Sequence, residues 1–249
     1  IVANSAIIAP NIQPEGEDLR LRAGVEWGVA KIKAPEVWAL GYTGQGVVIG
    51  GQDTGYDWQH PALIRKYRGW VRDSIANHTY HWFDAIKAYN PQNPDLLNSC
   101  GLNTVFPCDD SQHGTHTMGT MVGDDGKGNQ TGVAPGAVWI GCRNMERGIG
   151  TPFTYLECFQ WFLAPTTLDG KKADPSLAPD VINNSWACPS SEGCNPSNIP
   201  LLEKAVQNLR AAGVFVAVSA GNSGPGCETI NDTPASFPAS FDVGATQSN

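Results

Sequence analysis

Four polar residues of the chain have the types and sequence contexts needed for acyl transfer. Asp53 lies in the string QDTG, His113 opens HGTHTMGT, Ser185 lies in NNSW and Asn222 lies in SAGNSG. A serine hydroxyl is a weak nucleophile, so a neutral imidazole must take its proton and a buried carboxylate must stabilise the imidazolium that forms. His113 and Asp53 suit these two roles. The amide of Asn222 could donate a hydrogen bond to the developing oxyanion.

Each of these residues alone has a plainer explanation. An Asp before Thr-Gly, such as Asp53, is commonly a turn former, and an Asn between Gly and Ser also marks a turn. A His that opens a helix can simply cap it or pack against a neighbour. Ser223, which follows Asn222 in GNSGP, does not match the G-x-S-x-G nucleophile elbow and is interpreted as a turn residue. The chemical hypothesis therefore depends on the residues occurring together.

Short apolar runs alternate along the chain with longer segments of helical periodicity. The run GVVIGGQDTG predicts a buried strand with Asp53 at its carboxyl end. When strands that are apolar on both faces alternate with helices, they form a parallel sheet with helices packed on each side. In such a sheet the active site lies beyond the carboxyl ends of the strands. The predicted fold class is therefore α/β.

Further strands are predicted at AVWIGCRN, DVINNSW, VFVAVSAGN and FDVGAT. Helices are predicted at WGVAKIKAPEVWAL (ending at Gly41), HGTHTMGTMVG, TPFTYLECFQWFLA and LLEKAVQNLRAAG (capped by Gly213).

The composition favours one large globular domain and argues against two classes of partner. The chain has 249 residues, of which 41% are hydrophobic and 16% charged. A net charge of −8 argues against nucleic-acid binding, which requires an excess of Lys and Arg. The longest apolar candidate, 211–220, is half of the roughly 20 residues that a membrane helix needs. We also expect any export signal to have been removed, because Ile1 is not preceded by a charged and apolar leader.

Seven cysteines favour an oxidising compartment, and hence a secreted protein. Cys100 with Cys108, and Cys188 with Cys194, lie close enough in sequence to close small rings. The pairing of Cys142, Cys158 and Cys227 is left open, as is a partner cysteine beyond Asn249. A buried free thiol is the simpler interpretation of Cys142, which ends the apolar segment VWIGC.

Five strings, in this order, resemble the subtilase family of serine endopeptidases: GVVIGGQDTG, HGTHTMGT, GVAPGA, VINNSW and SAGNSG. The resemblance extends from about Trp27 to Asn249 and is strongest to the bacillopeptidase F-like branch. It implies a three-layer, doubly wound and mostly parallel sheet with helices on both faces. It also implies that Asp53 and His113 belong to a catalytic triad, and that Asn222 is the oxyanion donor.

The same resemblance divides the chain and assigns two further residues of the HGTH string. Residues 23–249 correspond to the catalytic domain, and residues 1–22 to an N-terminal arm or a propeptide remnant, because IVAN resembles the end of a subtilase propeptide. Gly114 is expected to let the helix approach closely, and His116 is expected to be structural.

The family's nucleophile lies in a G-T-S-M-A string that opens a helix, and no GTS string occurs here. Only 27 residues follow Asn222. Three explanations are open: the serine is on a separate chain, the chain is a shortened form, or the protein is an inactive scaffold or binding protein with the subtilase fold. We expect a domain that is incomplete on its C-terminal side, inactive alone, and completed by a C-terminal segment carrying the serine.

The resemblance also assigns the substrate side of the cleft. Gly148, Ile149 and Gly150 would pair with a polypeptide substrate as an added strand. Asp232 could form the floor of the primary specificity pocket and favour Lys or Arg; the alternative is that it caps the N-D-T-P turn. The opposite wall would be Ser185, Trp186 and Ala187, so Ser185 is expected to line the cleft and not to act as the nucleophile. The pocket would lie between that wall and Ser219, Ala220 and Gly221.

No cofactor is required for this chemistry, although GDDGKGNQTG could hold a structural calcium ion. Asp124, Asp125 and Asn129 of that string carry hard oxygen ligands, but a solvated turn explains the same residues. A remoter alternative is a metal hydrolase that uses Asp110, His113 and His116. The two histidines of this alternative lie in the string H-G-T-H. That spacing is less suitable than H-x-x-x-H for placing two imidazoles on one helix face.

Asp53 and His113 are separated by 60 residues in sequence, and much of this interval is a polar insertion at 73–110. The insertion is rich in Asn, Pro and aromatic residues and contains two of the cysteines. We expect it to reshape the leaving-group side of the cleft.

Overall fold

Six parallel strands form the central sheet of the computed structural model, which describes residues 24–93 and 98–246. The order across the sheet is β6-β5-β4-β1-β3-β2. The order reverses at β1, which lies between β3 and β4, and a reversal of this kind opens a crevice at the carboxyl ends of the strands. In chain order the strands are β1 (Val48–Asp53), β2 (Trp82–Asp84), β3 (Val138–Arg143), β4 (Val181–Asn184), β5 (Phe215–Ser219) and β6 (Phe241–Val243).

Helices cover both faces of this sheet, as two adjacent glycines of β1 show. A Cβ on Gly50 would lie 2.7 Å from the ring of Phe162, whereas a Cβ on Gly51 would lie 2.8 Å from Met118. Successive strand residues point to opposite faces, so each glycine admits a helix directly onto the backbone. The predicted three-layer α/β fold is confirmed. The helices are α1 (Trp27–Lys31), α2 (Ala34–Ala39), α3 (His113–Val122), α4 (Pro152–Leu163) and α5 (Ile199–Ala211), with 3-10 turns at Ile64–Lys66, Pro175–Leu177 and Ser190–Glu192.

The ends of α4 and α5 follow from local sequence. Thr151 forms a capping box with Thr154 at the start of α4, and Pro152 occupies the first turn, where its missing N–H costs nothing. After α5, Gly213 adopts a φ of 91°, and Val214 N donates to Leu209 O at 3.0 Å. This is the glycine cap that the sequence predicted.

One local prediction was wrong, and one strand was not predicted. The single helix predicted up to Gly41 is divided into α1 and α2 at Lys33, whose φ is 63°. Pro35 lies in the first turn of α2 and cannot donate the backbone hydrogen bond that a continuous helix would need. The insertion 73–110 contributes β2 to the edge of the sheet, where Trp82 and Asp84 are buried.

Smaller strand pairs surround the sheet. The antiparallel hairpins join Trp70–Arg72 to Ile75–Ala76 and Met145–Glu146 to Ile149–Gly150, while Gly24–Val25 runs parallel to Asn129–Gln130. Within the described residues, no helix has the length and apolar character needed to cross a membrane. The arm predicted at 1–22 lies outside the described residues.

Three disulfides join segments of the described chain. Cys100–Cys108 and Cys188–Cys194 close the two rings that the sequence suggested, each with Cα atoms 5.7 Å apart. The third joins Cys142 on β3 to Cys158 on α4, with Cα atoms 5.8 Å apart, inside the core. The interpretation of Cys142 as a free thiol was therefore wrong. Cys227 is the exposed free thiol of the described region.

Candidate active site

A carboxylate and an imidazole meet where β1 ends and α3 begins. Nδ1 of His113 lies 2.6 Å from Oδ1 of Asp53. The Asp53 side chain is 1% exposed and that of His113 is 14% exposed, so the pair lies at the border between core and solvent. This contact holds Nδ1 toward the carboxylate and makes Nε2 the ring nitrogen suited to take a proton. The proximity predicted for these two residues is present.

Further hydrogen bonds fix the Asp53 carboxylate. The backbone N–H of Thr54 donates to Oδ1 at 2.7 Å, and the hydroxyl of Thr117 lies 3.4 Å from Oδ2. Thr54 Oγ1 also accepts from the N–H of Gly114 at 3.0 Å, which joins the end of β1 to the first turn of α3. The carboxylate is thereby oriented before any substrate arrives.

Asp109, which was not among the site residues predicted from the sequence, supports this junction. Its carboxylate accepts hydrogen bonds from Thr54 and from the first turn of α3. An Asp shortly before a helix start is a recognised capping signal that could have identified it. His116, which was expected to be structural, is exposed on α3.

The segment predicted to pair with substrate is the second half of a short hairpin. Glu146 pairs with Ile149, and Gly148 forms the turn with a φ of 87°, a conformation that favours glycine. The Ile149 side chain is buried. At Gly150 a Cβ would overlap the phenol ring of Tyr155, so the absence of a side chain allows that ring to lie against the strand. Substrate binding by Gly148, Ile149 and Gly150 stays a prediction.

The predicted opposite wall follows β4, but its side chains do not all face one cleft. Trp186 is 1% exposed and stacks on Tyr155 with ring centroids 3.9 Å apart. Ala187 is also buried, while Ser185 is half-buried and its Oγ accepts from Asn183 Nδ2 at 2.9 Å. The side chain of Trp186 therefore belongs to the core, and its backbone is the part suited to line a cleft.

The remaining predicted pocket residues follow β5 at the same edge of the sheet. Ser219 ends the strand, Ala220 N donates to Val243 O at 3.0 Å, and Gly221 N donates to Ser219 Oγ at 3.2 Å. Asn222 is exposed on the loop that follows. Because β4 alone separates β5 from β1, these residues share the carboxyl edge with Asp53. The oxyanion role of Asn222 stays a prediction.

Asp232 lies on an exposed turn rather than in a desolvated pocket. Its backbone carbonyl accepts from Ser236 N at 2.9 Å. A carboxylate that forms the floor of a specificity pocket would be partly desolvated, so this exposure gives no support to a preference for Lys or Arg.

The loop considered for calcium satisfies its acidic groups internally. Asp125 Oδ1 accepts from Lys127 N at 2.7 Å and from Asn129 N at 3.1 Å. The Asn129 amide also donates to Asp125 and, as the main cause, lowers the pKa of its carboxyl below the ordinary value. Asp124 lies 3.6 Å from the Lys66 ammonium. A structural calcium ion at Asp124, Asp125 and Asn129 stays a prediction.

The residues considered for a metal hydrolase are not brought together. Asp110 accepts from Arg143 Nη2 at 3.0 Å and from Arg147 N at 2.9 Å, while His113 contacts Asp53. Burial raises the pKa of Asp110 to about 6, although Arg143 opposes the shift. Across residues 24–93 and 98–246, no group of three or more His, Cys, Asp or Glu residues could hold a metal ion.

The insertion is anchored to the hairpin that contains Gly148. Glu146 is 1% exposed and accepts from Asn90 N at 2.6 Å and from Asn98 Nδ2 at 2.8 Å. The insertion thus borders the segment predicted to pair with substrate, and its effect on the leaving-group side of the cleft stays a prediction.

Comparison with known proteins agrees with this geometry. A family model described as the subtilase family matches residues 44–249. Bacillopeptidase F of Bacillus subtilis is 38% identical over 245 residues, covering 96% of this chain and 16% of that protein. The major intracellular serine protease of the same species is 28% identical over 242 residues, with coverages of 96% and 58%. Its subtilisin E is 27% identical over 227 residues, with coverages of 90% and 47%. The chain therefore spans less than two thirds of each of these relatives.

Proposed function

The chain belongs to the subtilase family, and on that premise we propose that it supplies the aspartate and histidine of a serine endopeptidase that hydrolyses peptide bonds. The observation that carries the proposal is the 2.6 Å contact between a buried Asp53 carboxylate and His113 Nδ1 at the carboxyl edge of a parallel sheet. The proposed nucleophile is a serine on polypeptide outside these 249 residues.

The two residues would act in sequence during acyl transfer. His113 Nε2 takes the proton of the serine hydroxyl while the oxygen attacks the peptide carbonyl carbon, and Asp53 stabilises the resulting imidazolium. The imidazolium then gives this proton to the leaving amine, which produces an acyl-enzyme. Water, activated by the same imidazole, releases the acid. The Asn222 amide would donate to the oxyanion in both tetrahedral intermediates, and such a donor contributes about 3–4 kcal/mol.

Secretion forms part of the proposal. Three disulfides within the described chain favour an oxidising compartment. The names of the relatives do not decide the matter, because one of them is called intracellular.

The proposal is tested by labelling the full-length protein with a phenylmethylsulfonyl-type serine reagent and mapping the modified peptide. One serine outside residues 1–249 should be labelled, and His113→Ala should suppress the labelling because the serine then lacks its base. His116→Ala, an exposed histidine on the same helix, is the matched control and should retain labelling. A folded protein with neither labelling nor hydrolysis would instead be the inactive scaffold.

A further inference from the structure

Asp109 connects the residue after Asp53 to the start of α3. Its Oδ1 accepts a hydrogen bond from Thr54 Oγ1 at 2.8 Å, and that hydroxyl oxygen accepts from Gly114 N at 3.0 Å. The N–H of Thr54 donates to Asp53 Oδ1 at 2.7 Å. A single buried threonine therefore joins the carboxylates of Asp53 and Asp109.

The second oxygen of Asp109 holds the helix itself. The N-cap residue Gln112 has a φ of 65° and makes no side-chain capping bond. Asp109 takes over this role. Its Oδ2 accepts from Thr115 N at 2.9 Å and from Thr115 Oγ1 at 2.5 Å, and its Oδ1 also accepts from Gln112 N at 2.8 Å. The first N–H groups of a helix lack partners within it, and a negative charge is favourable at this end. Asp109 thus fixes the turn that begins with His113.

We infer that Asp109 is a positioning residue for the Asp53–His113 pair, an inference that rests on the proposed function. Its hydrogen bonds hold the end of β1 against the first turn of α3, an arrangement that we call the clamp. His113 Nδ1 thereby stays 2.6 Å from Asp53 Oδ1. The five donors to its two oxygens come from Thr54, Ser111, Gln112 and Thr115. An Asn at this position keeps one acceptor oxygen, so it cannot accept hydrogen bonds both from Thr54 at the end of β1 and from Thr115 on α3.

The test uses two variants of the full-length protein that break the clamp in different ways. Asp109→Asn should lower kcat by up to about 100-fold with little change in KM, because small misplacements of catalytic groups have effects of this size. Thr54→Val removes the hydroxyl that joins Asp109 Oδ1 to Gly114 N, keeps the backbone N–H that donates to Asp53 and changes no charge; it should act in the same direction. The double variant should be no worse than Asp109→Asn alone, since both changes break one connection.

The pH profile separates positioning from general stability. The acidic limb of kcat/KM reports the base in the free enzyme, and it should move to lower pH in both variants as the imidazolium loses its ordered carboxylate. Asp174→Asn is the matched control. Asp174 also accepts a backbone hydrogen bond, from Ser176 N at 2.9 Å, but on an exposed turn, so its variant should resemble the wild type.

A readout that does not need turnover distinguishes failure of this inference from failure of the proposed function. The Nδ1 proton of His113 should give a downfield NMR resonance that is lost in His113→Ala and broadened or shifted upfield in Asp109→Asn and Thr54→Val. Absence of both hydrolysis and serine labelling in the wild type would overturn the proposed function. The resonance of the His113 Nδ1 proton would still report whether Asp109 orders the Asp53–His113 contact. If Asp109→Asn does not fold, the kcat, pH profile and NMR resonance of Thr54→Val alone test the inference. Folded variants with wild-type kcat, pH profile and resonance would overturn the inference.

Discussion

Gly114, the second residue of α3, lies so close to the carbonyl oxygen of Gly55 that a Cβ on Gly114 would overlap it. The same Cβ would lie 3.0 Å from the Cβ of Asp53. The helix carrying His113 therefore meets the end of β1 backbone to backbone. This is the close approach that the sequence analysis expected of Gly114.

Gly114→Ala should push α3 away from β1 and so destabilise the fold and disturb the catalytic pair. We expect the free energy of unfolding to fall by about 1–3 kcal/mol, as for other overpacked sites, and kcat/KM to fall with it. Urea unfolding and peptide hydrolysis measure the two effects. Gly119→Ala on the same helix is the control, because its Cβ would meet nothing within 4 Å. Equal behaviour of the two variants would show that the close approach is unimportant.

Glu192 should make the stability of the fold depend on pH. Burial raises the pKa of its carboxyl from 4.5 to about 8, although the hydrogen bond from Tyr155 opposes the shift. Between these pH values the folded state binds more protons than the unfolded state, so stability falls as pH rises. The slope contributed is at most about 1.4 kcal/mol per pH unit. Glu192→Gln should remove it.

The difference between the wild type and Glu192→Gln in urea unfolding from pH 6 to pH 8 measures this contribution. Burial lowers the pKa of His78 and of His81, and both histidines oppose it near pH 6 in both proteins. Asp110, whose pKa is about 6, acts in the same direction mainly below that range. Glu36→Gln provides a control at a side chain that is 69% exposed, and it should keep the wild-type slope. A wild-type slope in Glu192→Gln would mean that Glu192 is ionised in the folded protein throughout this range.

The Cys142–Cys158 disulfide should contribute substantially to stability, since it ties β3 to α4 across 16 residues of sequence. Replacing both cysteines by Ala should lower the free energy of unfolding by about 3 kcal/mol, the loop-closure value for a ring of this size. Cys227→Ser, at an exposed free thiol, should leave it nearly unchanged. Non-reducing peptide mapping should recover Cys142 linked to Cys158; recovery of Cys142 as a free thiol would contradict the pairing.

The parts of the fold that local pattern determines were predictable. The glycine-bounded apolar run ending at Asp53 correctly predicted a buried strand, and Gly213 correctly predicted the end of α5. Strand β2 was missed because it is only three residues long, and Trp82 and Asp84 are buried by pairing with β3 rather than by an apolar run of their own.

The contact between Asp53 and His113 was predictable from the sequence, whereas the contacts of Asp109 were not. Asp53 and His113 carry strong sequence contexts, whereas the role of Asp109 depends on Thr54, a residue 55 positions away. Local sequence cannot supply that contact. The burial of Trp186 likewise depends on stacking against Tyr155 from another element.

The proposed role of His113 as the general base of a serine peptidase is measured by kcat/KM of the full-length protein. His113→Ala should lower kcat/KM for a peptide substrate by about 10⁴-fold or more, as disruption of such a triad does. His116→Ala, at an exposed position on the same helix, should leave kcat/KM per folded molecule close to the wild-type value. Equal loss in both variants, or undiminished turnover in folded His113→Ala, would show that His113 is not the general base.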